Sequence, residues 1–107
     1  VFYQDLTIPK QIFEVNFFGQ LSLTQALLPA MLTTSKVVGG KIVNMSSVCG
    51  TGTGSHGNSI YCASKHAVEA WSAALRTELE AFNVDVTTIR AGATCGVPAV
   101  AAPCGAT

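Results

Sequence analysis

Residues 41–47 read KIVNMSS, residues 48–58 read VCGTGTGSHGN and residues 59–65 read SIYCASK. The first run is apolar and turns polar at its end. It predicts a short strand over Lys41–Ser46, apolar enough for a parallel sheet buried on both faces. In the second run Gly50, Gly52, Gly54 and Gly57 alternate with Thr and Ser, too flexible for the interior of an element. A loop at the carboxyl end of the strand is expected. The third run opens a helix, capped by Asn58 or Ser59, that continues through Val68, Trp71 and Leu75 to about Phe82. Arg76, Glu78 and Glu80 lie on its wetter side, and Asn83 closes it.

The alternation continues outward. Val84–Arg90 alternates β-branched residues and predicts a second strand. Upstream, Pro9 to about Thr34 predicts a long helix that begins with proline in its first turn, and Gly39 and Gly40 separate it from the strand. Helix, strand, helix, strand implies an α/β fold with parallel strands and right-handed crossovers. The first helix is apolar on nearly every side (Phe13, Phe17, Phe18, Leu21, Leu27), so it needs cover on two faces, one from the sheet and one from a second subunit. After Arg90 the periodicity ends. Residues 1–94 read as a partial domain and residues 95–107 as an irregular tail.

A chain of 107 residues suits one folding unit or a piece of one. Only 11% of the residues are charged, against roughly 25% in an ordinary domain, so an apolar surface awaiting a partner is expected. Six basic residues balance six acidic ones with no basic run, which argues against nucleic acid or an anionic membrane surface as partner. The longest apolar tract, 17–32, is interrupted by Gln20, Ser22, Thr24, Gln25 and Pro29, poor material for a membrane span. No secretory leader is recognisable in the chain as it stands. Cys49, Cys62, Cys95 and Cys104 form no Cys-x-x-Cys pair and have no histidine at zinc spacing. No metal is expected, and reduced thiols suit a cytoplasmic location.

Tyr61 and Lys65 stand four apart on the second helix and therefore share a face. A tyrosine ordinarily titrates near pH 10, and an ammonium within about 4 to 6 Å lowers that value by roughly 1 to 3 units. Such a phenol approaches the working range of a general acid or base. Ser47 sits at the carboxyl end of the first strand, where open α/β sheets hold ligands, and its hydroxyl both donates and accepts. Taken singly, each feature has an ordinary structural explanation, a chance spacing in a helix or a cap after a strand.

Their order decides otherwise. Glu14-Val15-Asn16, then Ile42-Val43-Asn44-Met45-Ser46-Ser47, then Tyr61-Cys62-Ala63-Ser64-Lys65, with Tyr61 14 residues after Ser47, resembles the short-chain dehydrogenase/reductase family over roughly residues 9–94. The resemblance implies a partial Rossmann-like three-layer fold with parallel strands, NAD or NADP as cofactor, and a small-molecule alcohol or carbonyl substrate. By the same resemblance Tyr61 passes a proton to or from the substrate oxygen and Ser47 holds that oxygen. Lys65 lowers the phenol's pKa and holds the nicotinamide ribose, and the backbone carbonyl of Asn16 anchors a water that relays protons to the lysine. Ala91, Gly92 and Thr94 fall in the stretch that meets the nicotinamide. Here the chain departs from the family: Ala91-Gly92 stands where Pro-Gly is usual, and Gly96 where a threonine is expected.

The family's glycine-rich phosphate turn and its Asn-Asn-Ala-Gly segment belong upstream of Val1. The chain is accordingly expected to be the catalytic part without the half that binds most of the cofactor. Gly52 to Gly57 also matches Gly-x-Gly-x-x-Gly, with Arg90 as a partner for a 2′-phosphate, but five residues separate Ser46 from Gly52 where that motif requires an immediate turn. His56 reads as solvated, and Trp71, Phe17 and Phe18 as packing residues. The two long helices are expected to pair in a homo-oligomer. Two functions follow: an NAD(P)-dependent oxidoreductase, or an inactive truncated product or dimerisation module of one.

Overall fold

The computed structural model describes residues 5–52 and 56–92, with Ser35 and Lys36 described by their backbone alone. The chain starts with α1 (Thr7–Phe13), a π-helical turn (Glu14–Phe18) and α2 (Gly19–Val38), which form one unbroken helical run. Then come β1 (Gly40–Ser47), a 3-10 turn (Val48–Gly50), α3 (Ser59–Leu79), a second 3-10 turn (Glu80–Phe82) and β2 (Val84–Ala91). This is the predicted order of helix, strand, helix, strand.

The first helix is longer than predicted at both ends, for identifiable reasons. At its start the Asp5 carboxylate accepts from the Thr7 N–H at 2.8 Å, so the helix begins two residues before Pro9, whose missing donor costs nothing in a first turn. Pro29 lies inside α2 without ending it. The stop is Gly39, at φ 79°, a left-handed conformation that favours glycine. Asn83 plays the same part after α3 at φ 58°, and its carbonyl accepts from the Gly40 N–H at 2.9 Å, tying the starts of the two strands together.

β1 and β2 pair in parallel from Gly40 opposite Val84 to Ser47 opposite Ala91. Ile42, Val84 and Val86 turn to the face covered by the helices, where they meet Leu28, Met31 and Leu32 of α2 and Trp71, Leu75 and Leu79 of α3. Val68 and Val86 are completely buried, each worth roughly 1.5 to 3 kcal/mol relative to exposure. On the other face Val43, Met45 and Ile89 are 48%, 47% and 47% exposed. Among the described residues, then, helices cover one face of the sheet, not the two expected from the apolar character of the strand.

One buried polar pair crosses this core: Asn44 of β1 donates from Nδ2 to the Ser72 hydroxyl at 2.8 Å. Among the described residues no helix is long and apolar enough to cross a membrane. Cys62 is a free buried thiol. Cys95 and Cys104 lie outside the described residues.

Candidate active site

The carboxyl ends of both strands and the first turns of α3 converge, so the predicted residues arrive at one end of the sheet. Ser47 closes β1 and is the register partner of Ala91, which closes β2. Extended at φ −152°, Ser47 also caps the 3-10 turn, its Oγ accepting from the Cys49 N–H at 3.2 Å. That bond orients the hydroxyl and leaves its proton available to an acceptor.

Tyr61 is half-buried in the first turn of α3, and Lys65, 9% exposed, follows one turn later. The Lys65 Nζ lies 5.8 Å from the centre of the Tyr61 ring and donates to the Met45 carbonyl at 3.2 Å. An ammonium carries three donors, so two remain for other acceptors.

Asn16 sits inside the π-helical turn, a feature that recurs at functional sites. Its Nδ2 donates to the Ser64 hydroxyl at 3.1 Å, and Ser64 in turn donates to the Tyr61 carbonyl at 2.7 Å. The Asn16 carbonyl accepts from Gln20 Nε2 at 2.7 Å. Gln20 further pairs with the backbone of Met45, donating to its carbonyl at 3.1 Å and accepting from its N–H at 3.0 Å. Asn16, Met45 and Lys65 are thus joined through one side-chain amide and one shared carbonyl.

Gly92 follows β2, exposed, and among the described residues nothing lies within 4 Å of the position a Cβ would take. Thr94 and Gly96 lie outside the described residues. Arg90, weighed as a partner for a 2′-phosphate, is otherwise engaged: it forms a bidentate pair with Glu69, both contacts at 3.0 Å. The pair holds the Glu69 carboxyl below the ordinary carboxylate range and raises the guanidinium. His56 is exposed, as expected. Trp71 and Phe17 pack edge to face at 5.9 Å, which supports their reading as packing residues.

Gln20, Ser64, Ser72 and Glu69 were not singled out from the sequence. A signal for the serines was present: Ser64, Val68 and Ser72 recur every four residues on α3, and all three are fully buried. For Gln20 there was none, because the backbone of Met45 that it pairs with belongs to a strand 25 residues away.

A family profile described as short chain dehydrogenase matches residues 4–101. The chain is 47% identical over 83 residues to an uncharacterized oxidoreductase, YbbO, of Escherichia coli strain K12, covering 78% of this chain and 29% of that one. It is 40% identical over 85 residues to dehydrogenase/reductase SDR family member 7B of Bos taurus, covering 79% and 25% respectively. Among solved structures, a short-chain dehydrogenase from Streptomyces avermitilis superimposes with a TM-score of 0.72 at 36% identity, over 79% of this chain and 30% of that one. A short chain dehydrogenase from Burkholderia cenocepacia J2315, in complex with NADP, gives 0.67 at 28% identity, over 81% and 35%. The chain therefore spans about a third or less of the length of these relatives. The profile match over residues 4–101, the relatives at 47% and 40% identity and the superimposed structures together make this chain a member of the short-chain dehydrogenase family.

Proposed function

We propose that this chain carries the proton-transfer residues of an NAD(P)-dependent oxidoreductase that interconverts a small alcohol and carbonyl, as the catalytic part of a Rossmann-like domain. The observation that carries this reading is the placement of Tyr61 and Lys65 on one face of α3, with the Lys65 Nζ 5.8 Å from the centre of the phenol ring, beside the strand end Ser47–Ala91. Coverage of only 29% of the Escherichia coli relative is in keeping with a part of a larger domain.

The residues present suit the nicotinamide end of such a cofactor. Lys65 keeps two donors for ribose hydroxyls, and among the described residues nothing crowds Gly92 against close approach. Ala91, Gly92 and, by family resemblance, Thr94 complete that side. When bound, a nicotinamide cofactor supplies the hydride chemistry. The chain's own residues do the rest. The Tyr61 hydroxyl donates a proton to the substrate oxygen during reduction and takes it back during oxidation. Ser47 donates its free proton to the same oxygen, favouring the charge that develops there. Lys65 places a positive charge beside the phenol, and Asn16, through Ser64, braces the backbone that bears Tyr61.

A cytoplasmic setting belongs to this reading. We further propose a homo-oligomer formed through the two long helices. Val15, Leu23 and Leu27 are 75%, 62% and 51% exposed along the first helical run, an apolar surface that a second copy would cover. The same residues favour the alternative, a dimerisation module without activity of its own.

Nucleotide binding separates the two. Energy transfer from Trp71 to NADH or NADPH should be saturable and should weaken in Lys65→Ala. Absence of binding by a chain that is helical by circular dichroism would leave the dimerisation module as the better reading.

A further inference from the structure

Tyr61, Lys65 and Glu69 follow one another at four-residue intervals, so Glu69 shares the face of α3 that carries the two reacting side chains. Its carboxylate does not point to open water. Ser46 of β1 and Arg90 of β2 are register partners on the helix side of the sheet, and Glu69 meets both. Arg90 binds it in a two-pronged fork, Nε to Oε1 and Nη2 to Oε2, both at 3.0 Å. The Ser46 hydroxyl, which donates to the Ser47 carbonyl at 3.5 Å, lies near enough to help lower the pKa of the Glu69 carboxyl. The Glu69 side chain is 14% exposed and that of Arg90 56%, so the pair is screened by solvent mainly from the arginine side.

The turn after β1 closes onto the same side chain. A Cβ on Gly50 would stand 3.1 Å from Glu69 Cγ, 2.7 Å from Ser46 Oγ and 2.9 Å from the Lys65 carbonyl, so only glycine lets the backbone seat there. Glu69 therefore touches three segments that the chain brings in separately: the end of β1, the turn beyond it and the end of β2.

We propose that Glu69 is a positioning residue which, gripped by Arg90 and seated on Ser46 and Gly50, locks the carboxyl ends of both strands to the helix bearing Tyr61 and Lys65. Ala91 and Gly92 follow Arg90 directly, so the clamp sets their backbone relative to the phenol and the ammonium. That consequence rests on the reading above, in which Ala91 and Gly92 meet the nicotinamide. The clamp itself does not. A planar guanidinium is suited to the task because its two parallel bonds fix orientation as well as distance, which a lysine cannot do.

The test uses Glu69→Gln, Arg90→Lys and the double variant, each confirmed helical by circular dichroism and studied well below its melting temperature. Amide hydrogen exchange at Gly50, Ala91 and Gly92 reports the clamp without any ligand, and Trp71 energy transfer to NADPH reports the site. Each single variant should speed exchange at these amides by about tenfold, the effect of losing one charge-assisted bond. Each should also weaken NADPH binding by a similar factor, with the double variant no worse than the singles. Unchanged exchange, or single effects that simply add in the double variant, would overturn the clamp. A wild-type chain that binds no nucleotide but shows the exchange pattern would overturn the oxidoreductase reading and leave the clamp standing.

Discussion

Asn16 reaches across 48 residues of sequence to donate from Nδ2 to the hydroxyl of Ser64 at 3.1 Å. Ser64 is completely buried, and through its bond to the Tyr61 carbonyl the contact links the π-helical turn to the first turn of α3. Removing the hydroxyl would strand a part-buried amide donor. Ser64→Ala should therefore lower stability by about 1 to 3 kcal/mol, measured as a fall in the urea midpoint at unchanged m-value. A midpoint equal to wild type would show that Asn16 finds another acceptor.

Gly50 offers a sharper steric test. With a Cβ placed 2.7 Å from Ser46 Oγ and 2.9 Å from the Lys65 carbonyl, Gly50→Ala must displace either the turn or α3. A loss of roughly 1 to 3 kcal/mol is expected, visible as a lower Tm. Gly52→Ala is the control: among the described residues nothing lies within 4 Å of its Cβ position, and its melt should stay close to that of wild type.

Acid should weaken the fold through Glu69. Arg90 holds its carboxyl below the ordinary range in the folded chain, whereas the unfolded value is near the usual figure of about 4.3. A depressed folded pKa contributes stability that is fully present above the unfolded value and is lost as pH falls through the folded one. Chemical denaturation followed from pH 6 downward should show wild type losing its advantage over Glu69→Gln below about pH 4. Parallel curves would remove Glu69 from the acid response.

For the proposed chemistry, Tyr61→Phe removes one oxygen and keeps the ring that Lys65 approaches at 5.8 Å. Turnover of an alcohol or ketone should fall by about 100-fold or more while nucleotide affinity changes little. Lys65→Ala should reduce both. Equal turnover in Tyr61→Phe would eliminate the phenol as the proton donor.

The proposed oligomer can be tested on the outer surface of α2. Leu23 and Leu27 are 62% and 51% exposed, one turn apart. Leu23→Glu together with Leu27→Glu should yield a smaller species by light scattering, with helical content retained. An unaltered mass would place the contact elsewhere.

Most of the architecture was legible in residue patterns. Period-two alternation in Val84–Arg90, the apolar run at 41–46, the glycine stretch after it and the four-residue spacing of Tyr61 and Lys65 are all local, and local backbone preference settles them. Boundaries shifted where a single contact or dihedral intervened. Asp5 moved the start of the first helix to Thr7, and Gly39 its end to Val38. The π-helical turn at Glu14–Phe18 was not legible, since an i+5 hydrogen bond leaves no period of its own in five residues.

By itself the sequence determined the helix–strand alternation, the family to which the chain belongs and the three side chains proposed to react, because each depends on the order and spacing of residues along one chain. Only the tertiary structure decided that Arg90 pairs with Glu69, that Gln20 joins Asn16 to Met45, and that Ser47 lies opposite Ala91. Those pairings span 20 or more residues of sequence, apart from the short step from Gln20 to Asn16. Pairs so far apart are chosen by strand register and helix packing, which no local pattern encodes.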